Sequence, residues 1–158
     1  MSCSTALEDP IKELFRASDY PLFYIALIRK QNSITLDKLL KVYSINTNMW
    51  RVLSALHEYG SLHISNLAEL IAVDRSQLSR LLDQMENLDL VSRTVSAKDR
   101  RHTELKFTTK GRSTFDGVLP IVIQHYENVC DGLLQTEKRV LMNSLQKILK
   151  NFHSAYEH

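Results

Sequence analysis

Hydrophobic positions along the 158-residue chain follow two periods. Spacings of three and four residues dominate, and one short interval alternates in steps of two. Leu22, Ile25, Ile28, Leu36, Leu39, Leu40 and Tyr43 form an imperfect helical stripe that opens at Asp19-Tyr20-Pro21, where Pro21 suits a first helical turn. This predicts one long helix over 21–42, weakest around 33–35. Met49, Trp50, Val52, Leu53, Leu56 and Tyr59 predict a second helix, capped by Asn46 and ended by Gly60. A very short extended piece at 62–64 leads to a third, capped by Ser65 or Asn66 and running through Ile71. Asp74 opens a fourth. Gln77 three residues on makes a capping-box variant, Val73 and Leu78 make a hydrophobic staple, and Leu78, Leu81, Leu82, Met85 and Leu88 form the apolar stripe.

The period then drops to two. Val91, Arg93 and Val95 alternate with Ser92 and Thr94, and Thr103, Leu105 and Phe107 alternate with His102, Glu104 and Lys106. These are two strands joined by a loop at 96–101. Thr108 or Thr109 caps a helix running towards Gln135, with Phe115, Leu119, Val122, Ile123, Tyr126 and Val129 apolar and a kink expected at Pro120. Thr136 caps a last helix with Val140, Leu141, Leu145, Ile148, Leu149, Phe152 and Tyr156 inward. Residues 1–18 read as an arm or short helix. The fold class is mainly α (α+β). Two short helices around the tight turn at 72–74 form a helix-turn-helix, and the hairpin that follows makes it a winged one.

Composition narrows the function. Apolar residues make up 44% of the chain and charged residues 24%, enough to bury a core without disulfides or metal. Cys3 and Cys130 have no short spacing and read as reduced thiols. A thiol-based oxidant sensor is an alternative, but neither cysteine has an activating partner in the sequence. The six histidines form no ligand cluster, so no metal is expected. No Gly-rich phosphate loop or nucleophile elbow is present, which argues against an enzyme and against a cofactor. The longest apolar run, 21–28, is too short to span a bilayer, and the N-terminus lacks a basic region followed by an apolar one. The expectation is a cytoplasmic protein with no membrane partner.

Charge distribution changes the picture more than net charge. The whole chain carries only +2. Between Val91 and Arg112, however, Arg93, Lys98, Arg100, Arg101, Lys106, Lys110 and Arg112 stand against Asp99 and Glu104, a local +5. Such segregation is the footprint of a phosphate-binding element. The fourth helix bears a polar face of Arg75, Ser76, Gln77, Ser79, Arg80 and Gln84. A helix fits the major groove, where arginine pairs with guanine or phosphate, glutamine reads adenine and serine lets the backbone approach. Asp83, Glu86 and Asp89 towards its far end are expected to face away from the duplex. The wing contributes Lys98, Asp99, Arg100 and Arg101. Double-stranded DNA is therefore the expected partner. The alternative is a winged helix that binds protein, which salt dependence would distinguish.

These elements also carry a family resemblance. Asp74-Arg75-Ser76, Ser79-Arg80, Leu90-Val91, Asp99-Arg100-Arg101, the Leu105-to-Thr108 step and Lys110-Gly111-Arg112 resemble the DNA-binding core of the MarR (multiple antibiotic resistance) regulators, and residues 48–60 resemble the helix before it. The pattern departs at Ser44 and Asp89, which stand where the family commonly has glycine. The resemblance implies a homodimer, with residues 19–45 and 112–158 as a helical dimerisation region and 46–111 as the DNA-binding domain. Two reading heads would meet successive major grooves of a near-palindromic operator, about 34–36 Å apart. It further implies Arg101, oriented by Asp99, in a minor groove. The Asp-x-Arg spacing favours Arg101 over Arg100, because residues two apart on a strand share a face. It implies a transcriptional repressor released by a small anionic aromatic ligand. Tyr24, Ile28, Arg29, Trp50, Arg51, Leu53 and Phe115 are the candidate lining, with aromatic rings to stack and guanidinium groups to meet a carboxylate.

Overall fold

The computed structural model describes residues 16–95 and 103–156. A single 3₁₀ turn, Ala17–Asp19, precedes α1 (Pro21–Leu40), and a second, Lys41–Tyr43, follows it. Then come α2 (Thr47–Tyr59), β1 (Leu62–His63), α3 (Ile64–Leu70), α4 (Arg75–Asn87), β2 (Val91–Val95), β3 (Thr103–Phe107), α5 (Thr109–Val129) and α6 (Gln135–Tyr156). The three strands form one antiparallel sheet in the order β1-β3-β2. Its register sets Leu62 opposite Leu105, and Val91, Arg93 and Val95 opposite Phe107, Leu105 and Thr103. This is a winged helix-turn-helix. The chain divides into two compact units, Met1–Ile121 and Val122–His158, and α5 spans the boundary.

In the first unit the core is the apolar stripe of each short helix meeting the inward face of the sheet. Val52, Leu53, Leu56, Leu67, Leu78, Leu82, Met85, Leu90, Val91, Leu105, Phe115 and Val118 are buried there. Asn46 caps α2 by accepting from the Met49 N–H at 3.0 Å, and Gly60 ends it in a positive-φ conformation, as their residue types predict. Thr47 donates its N–H and its hydroxyl to Asp37 Oδ1 at 2.7 and 2.8 Å, which ties the start of α2 to α1. Two capping expectations are corrected. The cap of α3 is His63, not Ser65 or Asn66, because β1 hands over directly to the helix without a polar cap. At α6, Thr136 lies inside the helix. The Glu137 carboxylate instead reaches back to accept from the Leu134 N–H at 2.7 Å. α5 also stops at Val129, short of Gln135, at a turn that contains Gly132 at φ +80°.

The helix-turn-helix turn and the exit from α4 use the same device. Past α3, Ala72 takes φ +55°, and the Ala72 and Val73 N–H groups donate to the Glu69 and Ala68 carbonyls. Past α4, Asp89 takes φ +57°, and the Asp89 and Leu90 N–H groups donate to the Glu86 and Met85 carbonyls. Both are Schellman closures built without glycine, and Ser44 is likewise left-handed at φ +57°. The exit of α4 is then fastened to the start of α5. Thr108 donates its hydroxyl to the Asp89 carbonyl at 2.6 Å, and the same oxygen accepts from the Gly111 N–H at 2.9 Å. Gly111 passes so close to Leu90 that a Cβ there would lie 1.8 Å from the Leu90 carbonyl oxygen.

The second unit comprises the end of α5, the Gly132 turn and α6. Lys138 Nζ lies 5.7 Å from the Tyr126 ring centroid. The apolar stripe expected to point inward along α6 is largely exposed in the single chain: Val140, Leu141, Leu149 and Phe152 all face solvent, as do Tyr126 and Val129 of α5.

Two substitutions should move stability in opposite directions. Gly111→Ala drives a methyl into a backbone carbonyl and should destabilise the fold by about 1–3 kcal/mol. Ala72→Gly relieves a left-handed alanine and should stabilise it by about 0.5–1 kcal/mol, the net of strain removed and unfolded-state entropy added. Urea unfolding of both variants against the parent checks the two signs.

Candidate nucleic-acid interface

The interface is organised by the cap of α4. Asp74 Oδ1 accepts from the Gln77 N–H at 2.7 Å and from the Ser76 hydroxyl at 2.7 Å. These bonds hold the Asp74 carboxyl below the usual aspartate range, with Arg80 adding to the effect. α4 therefore starts at a defined residue, and everything it displays has a fixed azimuth. Leu78, Leu81, Leu82 and Met85 turn inward, while Arg75, Ser76, Gln77, Ser79, Arg80 and Gln84 are all exposed. The polar face read from the sequence is thus presented by one helix, with the Ser76 hydroxyl already engaged in the cap.

Among the acids at the far end of α4, Asp83 follows Ser76 and Arg80 at i+7 and i+3 on one exposed stripe. Its charge is met by Arg93 of β2, whose Nη2 lies 2.7 Å from Asp83 Oδ1 and whose Nε lies 3.2 Å from Glu86 Oε2. Arg93 is therefore committed within the protein, which takes one cation out of the basic run. Two more of that run are also engaged. Lys106 pairs with Glu104 at 3.2 Å. Arg112 lies 4.3 Å from the Phe107 ring centroid, with Nη1 2.9 Å from His57 Nδ1. A guanidinium only donates, so Nδ1 of His57 is the accepting partner in this contact. Lys98, Asp99, Arg100 and Arg101 lie outside the described residues, as does Cys3.

Between α4 and β2 is a cleft of about 270 Å³, lined by Ile64, Ser65, Arg75, Leu78, Ser79, Leu82 and Arg93. A second cleft, of about 280 Å³, lies between α2 and the end of α3. Trp50 and Arg51 line it together with Ser54, Ala55, Glu58, Tyr59, Leu70 and Ile71. The structure divides the other residues expected to line a ligand site. Leu53 and Phe115 are buried in the core, and Phe115 stacks on Trp50 at 5.1 Å with the rings 6° from parallel. Tyr24 and Ile28 are exposed on α1 and do not line the cleft. Arg29 is spent on the helix-turn-helix turn, donating to the Ala72 carbonyl at 3.3 Å.

Arg51 is the electrostatically distinctive group of the second cleft. Burial pulls its pKa down, the neighbouring Arg29 guanidinium adds to this, and Asp37 opposes it. Its side-chain hydrogen bond is to Asn48 Oδ1 at 3.4 Å. Beside it the buried Ser54 hydroxyl has no hydrogen-bond partner. Ser54 and Glu58, which also line this cleft, were not among the residues singled out from the sequence. Stepping i+4 and i+8 from Trp50 along the helix would have found both.

Among the described residues, no group of three or more His, Cys, Asp or Glu could hold a metal ion, and no helix is long and apolar enough to cross a membrane.

Comparison with known proteins agrees with this architecture. The MarR family model matches residues 45–103, from the cap of α2 to the start of β3. The transcriptional repressor MprA of Escherichia coli (strain K12) is 30% identical, over 94% of this chain and 89% of its own length. A MarR family transcriptional regulator from Silicibacter pomeroyi superimposes with a TM-score of 0.78 at 25% identity, over 85% of this chain and 90% of that one. A MarR mutant from E. coli complexed with operator DNA shares the fold, with a TM-score of 0.73 at 22% identity over 90% of this chain and 99% of that one. Proteins so described are transcriptional regulators and not enzymes. Since the match with MprA runs nearly end to end, and the family model covers the same capped helices and first wing strand that build the interface, the chain belongs to the MarR family.

Proposed function

We propose that the protein is a homodimeric, sequence-specific DNA-binding transcriptional repressor that works in the cytoplasm and is released from its operator by a small ligand. The observation that carries this reading is the polar face of α4. A capped helix holds Arg75, Gln77, Ser79, Arg80 and Gln84 outward next to a strand that leads to the basic wing. Arg80 and Gln77 would contact base edges, Arg75 and Ser79 the phosphates beside them, and Lys98, Arg100 and Arg101 the adjacent backbone and minor groove. The E. coli relative solved on operator DNA supports the same use of this fold.

The dimer is supported by the apolar side chains that the single chain leaves exposed. Tyr24 and Ile28 of α1, Val129 of α5 and Val140, Leu141, Leu149 and Phe152 of α6 would be covered by a second copy. Residues 19–45 and 112–158 would thus form the dimerisation region and residues 46–111 the DNA-binding domain. The symmetry of two such subunits is what would demand a near-palindromic operator.

The effector reading rests on the cleft beside α2. Trp50 offers a stacking face, Arg51 a partly buried guanidinium, and Ser54 a hydroxyl without a partner. That set suits a small planar anion, with Glu58 on the rim selecting against a second negative charge.

Arg80→Ala should weaken binding to a selected duplex by about 1–3 kcal/mol and relax preference at one base position. Arg101→Ala should weaken binding across sequences and reduce the salt slope by about one. Fluorescence anisotropy across a salt series reads both, and unchanged affinity in both variants would defeat the interface as drawn.

Trp50 is the chain's single tryptophan, so its emission reports the effector cleft directly. Titration with a panel of aromatic carboxylates should shift that emission and lower DNA affinity, and Arg51→Ala should abolish both effects. A flat response to the whole panel would exclude this cleft as the effector site.

A further inference from the structure

β2 places an arginine on its apolar face. Residues two apart on a strand share a side, so Arg93 sits beside the buried Val91. A guanidinium there must be satisfied by whatever packs against that side. Here it is α4, which supplies Asp83 and Glu86 one turn apart. Arg93 Nη2 lies 2.7 Å from Asp83 Oδ1 and Nε 3.2 Å from Glu86 Oε2. In addition, the Arg93 backbone N–H donates to Glu86 Oε1 at 3.1 Å. One carboxylate thus meets the same strand residue twice: Oε1 accepts from the main-chain N–H, and Oε2 lies at ion-pair distance from Nε, which makes no aligned hydrogen bond. Arg93 stands opposite the fully buried Leu105 in the ladder, so what fixes β2 at this point also fixes β3.

We propose that Arg93, held by Asp83 and Glu86, is a positioning residue that locks the wing to the reading helix, so that both engage the duplex at one fixed angle. The proposal rests on the reading of this lobe as a duplex-DNA reader. Two features separate it from simpler accounts. Arg93 is not free to serve as one more phosphate contact, because its side chain is only 27% exposed, its Nη2 donates to Asp83 and its Nε is buried at ion-pair distance from Glu86. Asp83 is 58% exposed on the outward stripe of α4, where its charge opposes phosphate. Electrostatics alone therefore penalises the carboxylate at that position, and holding the wing offsets the penalty.

The two accounts differ in sign. Removing the charges of Asp83 and Glu86 makes the DNA-facing side less negative, so a lobe without a clamp would bind all duplexes more tightly. With the clamp, sequence-selective binding falls because the wing loses its fixed angle to α4, while non-selective attraction stays or rises.

The experiment uses the full chain and two probes. One is a duplex enriched by the parent protein from a random pool, and the other is a scrambled duplex of equal length and composition. Asp83→Asn with Glu86→Gln should bind the selected duplex about tenfold more weakly than the parent and the scrambled duplex at least as well. Arg93→Lys keeps the charge but cannot span both carboxylates, so it should fall with Arg93→Gln. Asp83→Asn alone, at an exposed position, should show part of the loss with an unchanged unfolding midpoint, and it decides the matter if another variant fails to fold. Equal or tighter binding of the selected duplex by the acid-neutralised variants would overturn the clamp. So would Arg93→Lys at the parent's affinity while Arg93→Gln loses one charge of salt slope, which would make Arg93 a phosphate contact. A parent that selects no duplex from the pool would overturn the DNA reading and the clamp with it.

Discussion

The geometry of the reading head depends on one close approach, where the backbone of Gly111 lies against the Leu90 carbonyl. Leu90 closes the Schellman turn that ends α4, and the next residue begins the wing. Gly111 belongs to the first turn of α5. The exit of the reading helix, the root of the wing and the start of α5, which runs on into the second unit, therefore meet within a few residues. Thr108 bridges them with a single oxygen that donates to Asp89 and accepts from Gly111. Because the contact is backbone against backbone, no side-chain rearrangement can make room, and the two helices can approach only with glycine at this position.

A second constraint is electrostatic. The basic run between Val91 and Arg112 resembles a uniform phosphate-binding surface when read as a list of charges. Within the fold its members have separate duties. Arg93 joins β2 to α4, Lys106 is paired along its own strand, and Arg112 lies over an aromatic ring and on a histidine of α2. Among the described cations outside these contacts, Lys110 of α5 and Arg75 and Arg80 of α4 are exposed. Charge segregation located the element, but apportioning the charge required knowing which face of each strand met a helix.

This marks where the sequence was informative and where it was not. Asp74, Asn46 and Gly60 were legible because capping is local chemistry and involves partners three or four residues away. The two wing strands followed from alternation alone. The Ser65/Asn66 and Thr136 caps misled because a polar residue near a helix start is compatible with several first turns, and the neighbouring strand or a glutamate further on decided between them. The Asp83–Arg93 pair was not legible, because its members lie ten residues apart on different elements. The surroundings of Trp50 were the least legible part. Of the seven residues grouped by chemistry, the fold buries Leu53 and Phe115, leaves Tyr24 and Ile28 exposed on α1 and bonds Arg29 to the turn. Pocket membership is a long-range property, and the neighbours of Trp50 that complete the cleft come from α3, a separate helix.

The exposed apolar stripe of α6 follows from the same distinction between local pattern and long-range partner. Its spacing is as regular as that of α4, and by periodicity alone both helices bury a face. In α4 the stripe finds β2, α2 and α3 within its own unit. In α6, Val140, Leu141, Leu149 and Phe152 find no cover in the single chain. Apolar surface of that extent is costly in water, and most helical stability in proteins comes from packing an amphipathic face and not from propensity. The proposed second copy would supply the surface that this stripe lacks. With the proposed second copy in place, the reading heads would be linked through α5. The angle between wing and α4 would then matter twice, once in each half-site. A small loosening of the reading head would be repeated by symmetry, and this makes a fixed internal joint more consequential in a dimeric reader than in a single one.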